Sequence, residues 1–174
     1  MKRKRKIKKK SQIDWDKIQN RMVKYVTDIL QKKWKTPVIL DVYELDIKDV
    51  DMKKKRCDGF VGFLAESNEI YLDFICVRKQ KNKEYKTYII AHELGHVLDF
   101  VEWSPSKTEF HDINDNSVLN KRNKRVLYER EKRAHSKGFD LLKKVKLPIY
   151  YLERFIEYRS MHLASMVENF SNEK

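Results

Sequence analysis

A chain of 174 residues, 41% of them apolar, is long enough to bury one hydrophobic core, which argues for a single domain. No run of about 18 apolar residues is present, which excludes a membrane-spanning helix, and the charged start MKRKRKIKKK is followed by acids and amides instead of the apolar stretch of an export signal. The 39 Lys and Arg against 26 Asp and Glu, a net charge of +13, favour phosphate-rich or acidic partners, and serve solubility equally well.

The first ten residues hold eight Lys or Arg, a self-repelling block read as a disordered arm (residues 1–10) that could contact nucleic acid. From Ser11 the pattern changes. Ile18, Met22, Val26, Ile29 and Leu30 recur at helical spacing, with Ser11 and Asp14 as the cap, and the helix should stop before Lys35-Thr36-Pro37. Residues 38–43, 60–65 and 70–75 are rich in β-formers. The last two are joined by Glu66-Ser67-Asn68-Glu69 and read as a hairpin. A helix over about 83–103, stopped by Ser104-Pro105, is followed by a polar, turn-like stretch and by helices over about 118–144 and 148–170. The order predicts an α+β domain over residues 11–174, with a three-stranded sheet packed on helices and a C-terminal helix over 148–170. Leu152, Phe155, Ile156 and Leu163 should lie in the core. Cys57 and Cys76 frame neither a disulfide scaffold nor a zinc ribbon, and a reducing cytoplasm is the expected setting.

The segment AHELGHVLDF, residues 91–100, carries chemistry. On a helix His92 and His96 share one face and can meet a single ion, while Glu93 reaches the space beside it. Two neutral imidazoles as ligands and a carboxylate as general base are the division of labour of a zinc hydrolase. Chance would produce this string on the order of 0.01 times in such a chain. Gly95 invites close approach of another backbone. The third ligand of a metzincin is missing, since Asp99 and Glu102 stand where its glycine and histidine would be. His111, Glu131 and His135 remain as candidates. With Glu131 at the origin of the helical wheel, Leu127, Ala134, Gly138, Leu141 and Leu142 fall within about 80° and His135 about 40° away, so both can point inward.

Thr87 to His96, followed by Glu131-Lys132-Arg133-Ala134 and then Gly138, Leu141 and Leu142, resembles the ImmA/IrrE family of small zinc metallopeptidases. In that family an apolar helix bears HExxH, and a later helix bears Glu-x-x-Ala with a small residue and a Leu-Leu pair at these spacings. His135 and Lys137 depart from its usual Asn and Phe. The resemblance implies a zincin-like (minigluzincin) domain with Zn2+ held by His92, His96 and Glu131. It further implies a cytoplasmic protease of phages and mobile elements that cuts a DNA-binding transcriptional repressor. With Glu93 as base, the developing oxyanion would be met by Tyr128 or His111, and strand 70–75 could take substrate backbone by β-augmentation.

Two other readings stand beside it. His135-Ser136-Lys137-Gly138-Phe139 is similar to the third-ligand segment of SprT-like and WSS-type metallopeptidases, which implies a DNA-associated protease with His135 on the metal. A non-catalytic, basic nucleic-acid-binding module with a structural zinc would use the N-terminal arm and the run of Lys121, Arg122, Lys124 and Arg125. Trp103 reads as ordinary packing.

Overall fold

The computed structural model describes residues 13–34, 40–45, 58–66, 69–103 and 121–172. The N-terminal arm, His111, Ser11, Cys57 and the side chains of Trp103, Lys121 and Arg122 lie outside the described residues. Among the described residues four helices carry the architecture: α1 (Trp15–Trp34), α2 (Lys83–Trp103), α3 (Lys121–Lys144) and α4 (Ile149–Asn172). Between α1 and α2 come β1 (Asp41–Leu45), β2 (Gly59–Glu66) and β3 (Glu69–Arg78).

This balance overturns the α+β expectation. The helices run 20, 21, 24 and 24 residues, the strands only 5, 8 and 10, and parallel pairing is confined to two of them, β1 and β3. The chain is mostly helical. The physical reason lies in the core: α1 contributes Met22, Val26 and Leu30, α2 contributes Ile89, Ile90 and Leu94, and α3 and α4 contribute Leu141, Leu142 and Phe155. Among the described residues β3 adds only Ile75, Cys76 and Val77 to the buried set. Burying each of the larger side chains is worth roughly 1.5–3 kcal/mol, so among the described side chains helix-on-helix contact dominates the core.

Local chemistry fixes the helix ends. Asp14 Oδ1 accepts the Lys17 amide at 3.1 Å, which makes Asp14 the N-cap of α1. Asn82 Oδ1 accepts the amides of Glu84 and Tyr85 at 3.0 and 3.2 Å and starts α2. α3 closes with the Leu147 amide on the Leu142 carbonyl at 3.0 Å and with Lys146 at φ 62°, a left-handed turn made without glycine. On α4, Leu152, Phe155 and Leu163 are buried as their stripe predicts, but Ile156 is 47% exposed, because it is turned about 100° from Phe155 on the wheel.

The sheet has the order β1-β3-β2, with β2 antiparallel and β1 parallel to β3. β3 is thus the middle strand, and from Phe74 onward both its edges are already bonded. Among the described residues β1 pairs with none of residues 70–73, so of the strand 70–75 expected to receive a substrate only Phe74 and Ile75 are closed on both edges. Gly59, the first residue of β2, lies against α2, where a Cβ would come within 2.8 Å of both Glu93 Oε1 and Ile89 Cγ2.

Candidate metal centre

α2 shows almost no amphipathic stripe because α1, α3 and the sheet all pack against it, and its middle is buried on every side. Burial extends to its polar residues: His92 is 4% exposed, Glu93 5% and His96 8%. Their positions are braced from outside the site. Gln19 Nε2 of α1 donates to Thr87 Oγ1 at 2.8 Å, and Thr87 Oγ1 donates to the Lys83 carbonyl at 2.7 Å. Arg133 Nε of α3 lies 3.0 Å from both carboxylate oxygens of Asp99, and Lys137 Nζ pairs with Glu102. The two positions that break the metzincin pattern therefore serve as bridges between α2 and α3.

Two glycines let those helices meet backbone to backbone. A Cβ on Gly95 would come 2.0 Å from the Ala134 carbonyl oxygen, and one on Gly138 would come 2.5 Å from that of Ala91. Close approach brings Glu131 of α3 onto the histidine face of α2. Glu131 Oε2 lies 3.0 Å from His92 Nε2 and 3.2 Å from His96 Nε2, and the two Nε2 atoms are 3.2 Å apart. Ligands about 2.0–2.1 Å from a tetrahedral zinc ion stand roughly 3.3 Å from one another. The triangle of two imidazole nitrogens and one carboxylate oxygen has nearly that size, so the residues present fit such an ion.

Electrostatics agree with a donor set. Burial lowers His92 to about 4, against the opposing hydrogen bond to Glu131, and so keeps the ring neutral. For His96, burial pulls the same way but is outweighed by Glu131, and its pKa is raised. Burial pushes Glu131 up, yet His96 and the hydrogen bonds from both rings hold it well below the usual carboxylate range. Glu93 is different. Burial pushes it up to about 7, only partly countered by His96, which gives a carboxyl group able to exchange a proton near neutrality.

No family model, curated protein or solved structure matches the chain.

Of the residues singled out in the sequence, His92, Glu93, His96 and Glu131 come together. His135 is fully buried beside them but outside the triangle: its Nε2 contacts His162 Nδ1 at 2.9 Å, and its ring centroid is 4.0 Å from that of His92. Tyr128 is half-buried on α3, three residues before Glu131. Sequence reading missed two groups that α4 supplies, His162 and Tyr158. Tyr158 stacks on His162 with centroids 6.3 Å apart and planes 8° apart. Burial, then Tyr85 and Glu93, raise its phenol well above the ordinary range, so it stays protonated. The signal was their four-residue spacing on the same face as Phe155, hidden among ordinary aromatic core positions.

Proposed function

We propose that this chain is a zinc-dependent endopeptidase of ImmA/IrrE type that cleaves a DNA-binding repressor in the cytoplasm. The observation that carries the reading is the 3.0–3.2 Å triangle of His92, His96 and Glu131 with buried Glu93 beside it. Zinc, when bound, supplies Lewis-acid activation of water and of the scissile carbonyl. His92, His96 and Glu131 would hold the ion. Glu93 accepts a proton from the attacking water and returns it to the leaving amine, and its raised pKa suits both steps. Gly59, free of a side chain, keeps the outer strand β2 against Glu93, so a substrate strand added to β2 would pass beside the base. The contacts of Glu131 with both imidazoles favour this reading over the SprT-like one, in which His135 is the third ligand. Among the described residues no helix is long and apolar enough to cross a membrane. Of the basic run that would serve a nucleic-acid module, Lys124 instead donates to the Phe170 carbonyl at 2.7 Å.

The test pairs metal analysis with proteolysis. Purified protein should carry about one zinc per chain and cut a candidate DNA-binding repressor, whereas Glu93→Gln should keep the metal and the fold and cut nothing. Cleavage at the wild-type rate by Glu93→Gln would remove Glu93 as base. DNA binding with no proteolysis would favour the binding module.

A further inference from the structure

Four histidines lie among the described residues, and all four belong to one cluster, although the triangle above uses only two of them. We propose that His92, His135 and His162 form a second seat for a divalent ion of the zinc class, which competes with the first seat for His92. It borrows that one residue from the centre described above and needs neither His96 nor Glu131.

Three helices converge to make this seat: α2 brings His92, α3 brings His135 and α4 brings His162. One ring nitrogen of each lies within 4.8 Å of the others. His135 Nε2 and His162 Nδ1 are 2.9 Å apart, close to the donor spacing of a tetrahedral ion. The ring centroids of His92 and His162 are 5.2 Å apart, and those of His135 and His162 5.1 Å.

The bland reading is three imidazoles packed as aromatic core. Burial opposes it. His135 is 0% exposed, and neither its Nδ1 nor that of His92 has a hydrogen-bond partner among the described residues. A buried polar atom left unpaired costs free energy that the neighbouring Leu141 and Phe155 avoid, so a side chain kept only to fill volume would be apolar here. Three imidazole nitrogens with no carboxylate suit zinc, cobalt, nickel or copper and do not suit calcium or magnesium.

Competition follows from the shared ring and from charge. Two dications a few ångströms apart repel strongly, and the second seat offers no anionic group to offset that repulsion. One ion per chain is therefore expected, held at the first seat where Glu131 adds its charge, and at the second when the first is disabled.

Cobalt(II) titration of the full chain, followed by its visible absorption, tests this. The variant His96→Gln/Glu131→Gln should bind one Co(II) per chain, more weakly than wild type and with a shifted absorption band, and adding His162→Gln should weaken that binding at least tenfold. If the folded double variant binds no cobalt, or if His162→Gln leaves its binding unchanged, the second seat is wrong. Two ions bound per wild-type chain would overturn the competition. Should the double variant unfold, Glu131→Gln with and without His162→Gln makes the same comparison. The single variant His162→Gln separates this inference from the proposed function: its zinc should remain at the first seat, and a protein that loses zinc on His162→Gln but keeps it on Glu131→Gln would retain the second seat and lose the first.

Discussion

The Cβ that Gly95 lacks would stand 2.0 Å from the carbonyl oxygen of Ala134, so the spacing between α2 and α3 is set by bare backbone at the level of the candidate metal centre. No flexible side chain is there to yield. Gly95→Ala gains up to about 1 kcal/mol of helix propensity but must force two helices apart, and overpacking of this kind costs roughly 1–3 kcal/mol or more. The variant should therefore melt at lower temperature and, because Glu131 moves away with α3, bind zinc more weakly. Gly138→Ala, which meets the Ala91 carbonyl oxygen at 2.5 Å, should do the same. Unchanged melting and unchanged affinity in both would show that the helices are spaced by something else.

Lys146 turns the chain out of α3 at φ 62°, a conformation that costs an L-residue with a Cβ but not glycine. Relief of that strain outweighs the greater entropy glycine adds to the unfolded chain, and Lys146→Gly should stabilise the protein by roughly 0.5–1 kcal/mol. Denaturant midpoints compared at equal slope measure it. A lower midpoint would mean that the lysine makes contacts worth more than the strain.

The helices were legible because their signals are local. The Ser104-Pro105 break ends a helix predicted over about 83–103, and α2 spans those residues. The weight of the sheet was not legible, because periodicity identifies elements without saying how much area each buries, and counting three strands as equal to the helices produced the α+β reading. The HExxH face could be found from spacing within one helix, whereas spacing left both Glu131 and His135 facing inward, and only the family resemblance chose Glu131. His162 could not be found, since its partner His135 lies 27 positions away on another helix and nothing in the local pattern of α4 separates it from packing. The cap at Lys146 was invisible for a related reason: the residue that usually announces such a turn is absent.

Tyr85 gives a pH dependence away from the centre. Its hydroxyl donates to Asp58 Oδ2 at 2.8 Å, and burial, together with that carboxylate, pushes its pKa up to about 12. A raised folded pKa contributes stability that is fully present below the unfolded value near 10 and is lost as pH rises through 12. Because Tyr85 is only half-buried, solvent screening reduces what that rise contributes to stability. Tyr85→Phe should accordingly be less stable than wild type at pH 8, and the gap should shrink as both are taken to strongly alkaline pH. A gap that stays constant would show that the loss is one of packing and not of the phenol–carboxylate hydrogen bond.

The identity of the third ligand separates the two protease readings. Glu131 reaches both imidazoles of α2 at 3.0 and 3.2 Å, while His135, one turn on, faces His162. If Glu131 completes the first seat, Glu131→Gln removes a charged ligand and leaves an amide that is a poor donor to zinc. His135→Gln removes a neighbour of His92, a change that typically costs only about 10 to 100-fold in metal affinity. Zinc affinity measured by competition with a chelator should fall far more for Glu131→Gln than for His135→Gln, and His92→Ala/His96→Ala should abolish tight binding altogether, since it takes a ligand from both seats. If His135→Gln and His96→Gln strip the metal while Glu131→Gln and His162→Gln keep it, the carboxylate is only a charged neighbour of the histidines, and the SprT-like reading takes precedence over the one proposed here.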